Sequence, residues 1–244
     1  MKFAKQMPAN RNRSAYDQWS EMYDLDPNPH TAMEEDDVVD MVAAAPGEHI
    51  LDAACGTGRY CRLFQSKEAH VVGIDFSEGM LRVARQKMPT VAFRCVDLTG
   101  ILPFPEASFD KINCAQALKH LPDLTIPLAE FARVLKPSGT ITFSVTHPEM
   151  DWESYEMSST LSFNLAAESD IHQHRFWQYF EAIDRAGLRL SAFRQTPVGE
   201  KIRKYLTPES YQKVRGRYQI AIFQARKSET ANPPAVPDDV SNTL

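Results

Sequence analysis

An apolar run, His49-Ile50-Leu51-Asp52-Ala53, breaks at Ala54-Cys55-Gly56-Thr57-Gly58 and restarts with the helix-compatible Arg59-Tyr60-Cys61. A second apolar run, Val71-Val72-Gly73-Ile74, ends on Asp75. No other stretch constrains the fold as strongly. A strand that passes through a small-residue turn into a helix, followed by a strand ending on an acid, is how a parallel α/β sheet builds a nucleoside pocket at the carboxyl ends of its first two strands. Gly56 and Gly58 let the backbone bend and approach a ligand with no Cβ in the way. Asp75 supplies two carboxylate oxygens, acceptors for the two hydroxyls of a ribose.

The chain continues in the same alternation. Hydrophobic periodicity predicts strands over residues 49–54, 70–75, 91–97, 110–116 and 140–145. Helices are predicted over 58–66 and 124–135, and after Ser77, whose hydroxyl caps a helix with Met80, Leu81 and Ala84 inward. Lys136-Pro137-Ser138-Gly139 closes the helix before the fifth strand. A last helix over 175–186, with Phe176, Tyr179, Phe180 and Ile183 at core spacing, ends at Gly187, and two strands follow over 188–196 and 216–225. The expected architecture is α/β: a doubly wound, mostly parallel seven-stranded sheet with an antiparallel last strand.

Ahead of this core, residues 15–24 place Tyr16, Trp19 and Tyr23 on one aromatic helix face, stopped by Asp26-Pro27-Asn28-Pro29. A second helix over 31–44 carries Glu34, Glu35, Asp36 and Asp37 in its first turns, where the helix dipole favours acids. Residues 1–45 therefore read as a helical cap on a domain over 46–227. An insertion at about 146–175 has no clean period but contains Trp152, Tyr155 and Phe163. With Phe176 and Trp177 it reads as an apolar lid over the pocket, suited to an enclosed, largely apolar ligand. Residues 228–244 read as a disordered tail.

Composition narrows the function classes. The net charge is −5, and no long basic run offers a nucleic-acid face. The nearest candidate, Lys201, Arg203 and Lys204 with Lys213, Arg215 and Arg217, interleaves with Tyr205 and Tyr211 and reads as a solvated face or a lid segment. No apolar run approaches the roughly twenty residues that span a bilayer, and the N-terminus lacks a signal-peptide core. The four cysteines, Cys55, Cys61, Cys95 and Cys114, form no Cys-x-x-Cys pair, which argues against a metal site or disulfides. The expectation is a cytoplasmic protein with no nucleic-acid partner, no membrane insertion and no metal.

A strand–turn–helix of this kind serves either a dinucleotide or another adenosine cofactor. The dinucleotide fingerprint needs a third glycine, and Cys61 occupies that position. The later motifs are more specific: Gly-Ile-Asp-Phe-Ser at 73–77, Val-Asp-Leu at 96–98, Pro-Phe-Pro-Glu-Ala-Ser-Phe-Asp at 103–110, Leu-Lys-His-Leu-Pro-Asp at 118–123 and Arg-Val-Leu-Lys-Pro-Ser-Gly-Thr at 133–140. With Leu-Asp-Ala-Ala-Cys-Gly-Thr-Gly at 51–58, and the spacing of Tyr16-Asp17 to Tyr23-Asp24, the chain resembles the class I S-adenosylmethionine-dependent methyltransferases over about half its length. It is most similar to the small-molecule branch that includes the ubiquinone and menaquinone C-methyltransferases. One departure is Ala54, where the family's first glycine stands, which implies a slightly tighter loop.

The resemblance implies S-adenosylmethionine as cofactor, S-adenosylhomocysteine as product and a small-molecule acceptor. It implies that Asp52, Ala54, Gly56 and Gly58 line the methionine and ribose region, that Asp75 holds the ribose hydroxyls, and that Phe76 lies beside the adenine. Asp97 would accept from the adenine amino group, Leu98 would pack nearby, and the backbone at Cys114 and Ala115 would meet the methionyl ammonium. Aromatic rings hold sulfonium cations, so Tyr16 and Tyr23 are candidates for closing the site. An acceptor that must lose a proton needs a base, and histidine suits neutral pH. His120 after the fourth strand, His147 after the fifth, and His172 and His174 before the last helix are the candidates, with His70 a weaker fifth. Whether O, N or C is methylated stays open, as do an RNA or protein acceptor and a non-catalytic, cofactor-binding regulatory role.

Overall fold

The computed structural model describes residues 11–25, 28–149 and 171–227. Seven strands form one sheet in the order β3-β2-β1-β4-β5-β7-β6. They are β1 (His49–Ala53), β2 (His70–Asp75), β3 (Ala92–Cys95), β4 (Phe109–Ala115), β5 (Leu135–Thr146), β6 (Leu188–Pro197) and β7 (Tyr218–Lys227). Strands β1 to β5 pair in parallel, and β7 runs antiparallel to both β5 and β6, as the sequence predicts.

The helices are α1 (Arg11–Trp19), α2 (Pro29–Val42), α3 (Arg59–Gln65), α4 (Glu78–Lys87), α5 (Thr125–Val134), α6 (Phe176–Arg185) and α7 (Pro208–Val214). Successive strand residues face opposite sides, and the two apolar layers follow that parity. Ile50, Val71 and Ile222 pack with α2, α3 and α4, whereas Leu51, Ile74 and Phe223 pack with α5 and α6. Connections after β1 and β2 thus cross one face and the connection after β4 crosses the other. The strand order reverses between β1 and β4, and there the carboxyl ends of the strands leave a crevice.

Three boundaries differ from the periodicity. Pro29 begins α2 instead of ending the preceding helix, because its missing N–H costs nothing at a helix start and Asn28 Oδ1 accepts from Thr31 N at 3.3 Å. Helix α1 starts earlier than expected and stops at Trp19, so Tyr23 lies in the turns that follow. Strand β5 begins at Leu135, with a register shift before Thr140 that takes up Lys136-Pro137-Ser138-Gly139. Gly139 is needed there, since a Cβ would lie 2.7 Å from the Asp110 carbonyl oxygen.

The expected insertion falls mostly on 150–170, and Trp152, Tyr155 and Phe163, like the tail 228–244, lie outside the described residues. Trp177, expected in the lid, and Phe180, expected at core spacing, are both exposed, because Tyr179 and Ile183 form the inward face of α6. No helix among the described residues is long and apolar enough to cross a membrane.

Candidate active site

The turn after β1 builds the floor of the crevice. Ala54, Gly56 and Gly58 all adopt positive φ, at 56°, 54° and 83°. The two glycines answer different needs. A Cβ on Gly58 would press on the terminal methyl of Met88, which a flexible side chain can withdraw, and lie 3.4 Å from Phe93, so the demand for glycine there comes from φ at 83° at the start of α3. A Cβ on Gly56 would meet nothing within 4 Å, because it would project into the open crevice.

Asp75 closes the tip of β2. Its Oδ2 accepts from Gly56 N and its Oδ1 from Ser77 N, both at 2.9 Å. The side chain is buried, and burial lifts its pKa to about 6, against the loop N–H groups that lower it. Asp75 still lines a crevice of about 740 Å³ with Phe76, Met80, Val96, Asp97, Leu98, Ala115 and Ala117. Phe76, Met80, Val96 and Leu98 make an apolar slot, and Asp97 stands at its rim with Oδ1 held by Thr99 N at 2.9 Å.

Helix α1 covers this crevice because it is tied to α4. Asp17 Oδ1 accepts from Ser77 Oγ at 2.6 Å and from Gly79 N at 2.9 Å, and a Cβ on Gly79 would sit 2.9 Å from Asp17 Cα. The turn after α1 is tied to the floor through Thr57 Oγ1, which donates to Asp24 Oδ1 at 2.7 Å. Tyr16 and Tyr23 are thereby brought over the crevice. Burial pushes the Tyr23 hydroxyl up to about 12, so it remains a phenol at neutral pH.

A second lobe, about 810 Å³, shares Tyr16, Tyr23, Ala54, Gly56, Ala115, Gln116 and His120 with the first and extends toward α2. Where the lobes meet, the Tyr16 hydroxyl lies 3.0 Å from His120 Nε2, the rings edge to face. The second lobe is lined by groups that the sequence reading did not single out: His30, Glu34, Arg59, Tyr60, Gln116 and Lys119. Burial raises the pKa of Glu34, lowers His30 to about 3 and lowers Lys119 to about 8. The signal for Glu34 was present in the sequence: it shares the buried stripe of α2 with Met33, Val38, Met41 and Val42, and an acid on an apolar stripe is unusual.

Other expected site residues lie elsewhere. Asp52 faces the core, accepting from Asn113 Nδ2 at 2.8 Å and Cys61 Sγ at 3.2 Å, so its carboxylate braces β1 against β4 and α3. The Cys114 side chain is buried among core residues, while its neighbour Ala115 lines the crevice, as strand parity requires. His147 packs against Phe176 and Tyr218 at the end of β5 and lines neither lobe. His172 and His174 also stay outside: His172 N donates to the Lys119 carbonyl at 2.7 Å, and His174 Nε2 lies 2.7 Å from the Leu121 carbonyl. Of the expected bases, only His120 reaches the crevice.

These residues fit S-adenosylmethionine. Asp75 faces the crevice with loop N–H groups on both oxygens, an apolar slot for a flat base lies beside it, and the floor is open above Gly56. Comparison with known proteins agrees. Residues 51–143 match the family described as methyltransferase domain. The demethylmenaquinone methyltransferase of Renibacterium salmoninarum is 38% identical over 112 residues, 46% of this chain and 47% of that protein. The malonyl-[acyl-carrier protein] O-methyltransferase of Serratia marcescens is 36% identical over 104 residues, 43% of this chain and 40% of that protein. The matches thus span less than half the length of either relative. An S-adenosylmethionine-dependent methyltransferase from Mesorhizobium loti shares the fold, with a TM-score of 0.67 at 24% identity over 82% of this chain and all of that one. Residues 51–143 are thus similar to a methyltransferase domain, and the sheet around them shares the fold of the Mesorhizobium loti protein.

Proposed function

We propose that the protein binds S-adenosylmethionine in the first lobe and transfers its methyl group to an O, N or C atom of a small organic acceptor in the second. The observation that carries this reading is Asp75, a buried carboxylate held by two loop N–H groups that still faces the crevice. When bound, the cofactor supplies an electrophilic methyl carbon on a sulfonium. The chain's own task is then alignment and proton removal. Placement at near-attack distance can contribute roughly 7 kcal/mol or more to the rate. Tyr16 and Tyr23 of the cap line the crevice, and the Tyr16–His120 pair at the junction of the lobes takes the acceptor's proton where one must be lost.

A small acceptor is favoured over RNA by the fate of the basic segment. Lys201 pairs with Asp36, Arg203 with Glu200 and Lys213 with Glu209, while Tyr211 and Ile202 are buried. The segment spends much of its charge on neighbouring acids. One relative is named for demethylmenaquinone and another for malonyl-[acyl-carrier protein]. Both names fit an acceptor with an acidic oxygen or an activated carbon near a carbonyl. Titration calorimetry with S-adenosylmethionine, S-adenosylhomocysteine and NADH tests the cofactor. Micromolar binding of the first two and none of the third is expected; the reverse, or no binding at all, overturns the proposal. Release of S-adenosylhomocysteine with a panel of phenols, catechols and β-dicarbonyls tests turnover. Tight cofactor binding without turnover on the panel favours a regulatory binding protein.

A further inference from the structure

We infer that Lys119, aligned by Gln116 and Glu34, is the acceptor-recognition group of the second lobe, and that the acceptor presents an anionic oxygen to it: a carboxylate, phenolate or enolate. This rests on the proposed function and assigns the chemistry of its second substrate.

The argument begins with cost. Charges removed from water destabilise a fold unless they are fully paired, and stability alone gives no reason to keep them. Here an acid and a lysine, from α2 and from the loop after β4, face one pocket beside the cofactor lobe. They are joined through an amide and not by direct contact. Gln116 Nε2 donates to Glu34 Oε2 at 2.7 Å, and Lys119 Nζ donates to Gln116 Oε1 at 2.9 Å. Gln116 holds this position with φ at 57°, a left-handed conformation that a side chain rarely takes and that clusters at functional sites.

Counting donors and acceptors shows where the chain is complete and where it is open. Glu34 receives the Tyr60 hydroxyl at 3.2 Å and the Gln116 amide, and Ser144 also bonds to it, so the acid is well satisfied by the protein. Lys119 has three N–H donors. Two are directed to neutral oxygens, Gln116 Oε1 and Thr146 Oγ1 at 3.1 Å. Neither carries a charge, and no carboxylate lies within ion-pair distance of Lys119 among the described residues. The cation therefore lines the pocket with a donor to spare, and an anionic oxygen there completes it. His30, held neutral by burial, adds no competing charge.

The test uses the whole protein as wild type, Lys119→Met and Lys119→Arg. Calorimetry with S-adenosylhomocysteine comes first. Lys119→Met should bind it within about threefold of wild type, because Lys119 serves the acceptor. A loss of tenfold or more would assign Lys119 to the cofactor's own carboxylate and overturn the inference. With S-adenosylhomocysteine saturating, benzoate, benzamide and benzylamine are then titrated as size-matched anionic, neutral and cationic probes. A charge-assisted hydrogen bond implies that wild type prefers benzoate by roughly tenfold or more. That preference should disappear in Lys119→Met and persist in part in Lys119→Arg. Equal binding of the three probes by wild type, a preference for benzylamine, or a benzoate preference that survives in Lys119→Met overturns the inference. Failure of wild type to bind S-adenosylhomocysteine would instead refute the proposed function. 4-Nitrophenol provides an independent signal, since its phenolate absorbance should rise on binding to wild type and not to Lys119→Met.

Discussion

Replacing Asp75 with asparagine should separate ligand affinity from fold stability, and the geometry lets both effects be estimated. Each carboxylate oxygen already accepts one loop N–H, from Gly56 or from Ser77, at 2.9 Å. An ionised carboxylate offers about four lone-pair sites, which leaves one on each oxygen for a ribose hydroxyl. Hydrogen bonds to a charged group are worth about 1.5–3 kcal/mol each. In Asp75→Asn one oxygen becomes an NH2, so one hydroxyl loses its acceptor and the other loses the charge. A loss of about 2–4 kcal/mol follows, which is roughly 30- to 1,000-fold in the Kd for S-adenosylhomocysteine.

Stability responds differently, because two terms oppose. The new NH2 faces a loop N–H, and a buried donor left unpaired costs about 1–3 kcal/mol. Against this, burial raises the Asp75 carboxyl from 3.8 to about 6 in the folded protein. A carboxyl whose folded pKa is raised weakens the fold once it ionises. That penalty is absent below the unfolded pKa and complete above about 6, where it amounts to about 3 kcal/mol. Asparagine relieves it at neutral pH. Net stability should therefore stay within about 2 kcal/mol of wild type, a Tm change of no more than about 4–8 °C for a chain of this size. Calorimetry at pH 7 paired with thermal unfolding measures both. Affinity within threefold of wild type would refute the role given to Asp75, as would a collapse of the fold that accounts for the lost binding.

Three further outcomes follow from the same geometry. Ala54→Gly should raise stability by roughly 0.5–1 kcal/mol, since the left-handed strain of an alanine exceeds the entropy cost of a glycine; a fall in the urea midpoint would count against it. Gly58→Ala should destabilise by about 1–2 kcal/mol through left-handed strain, whereas Gly56→Ala should add to a similar strain a loss of S-adenosylhomocysteine binding, because its methyl group fills the crevice. Calorimetry and unfolding on the two variants would show the opposite pattern if the glycines had been assigned the wrong way round. Finally, affinity for S-adenosylhomocysteine should hold steady from pH 7 to about 6 and then weaken by up to tenfold per pH unit, because protonation removes the charge that accepts the ribose hydroxyls. The charged groups acting on this carboxyl include Asp17 and Asp52, of which burial lifts Asp52 to about 6 as well; Asp75→Asn should flatten the profile, and a profile unchanged in that variant would assign the dependence to Asp52.

The cap joins the two lobes through one short segment. Asp17 ties α1 to the start of α4, and Asp24 ties the following turn to Thr57 on the crevice floor. Tyr16 and Tyr23 thus face both lobes from one short segment.

The sheet and the crevice at the carboxyl ends of its first strands were legible because their determinants are local. Positive-φ glycines, a serine cap at Ser77 and strands that alternate between two apolar layers all act over a few residues, and each leaves a mark in the sequence. Where local marks compete, the reading slipped: Pro29 ends one periodic stretch and also begins α2, and only the Asn28 cap decides between these. The direction of Asp52 is likewise a contest between the crevice and the core, settled by Asn113 sixty-one residues away. The second lobe was beyond local reading altogether. Glu34 meets Gln116 across eighty-two residues and Tyr60 across twenty-six, so its chemistry exists only after α2, α3, β4 and β5 have packed. The sequence by itself determined that a glycine turn and Asp75 meet at one end of the sheet; the tertiary structure decided which charges line the second lobe, because desolvation and pairing are properties of the assembled pocket and not of any one segment.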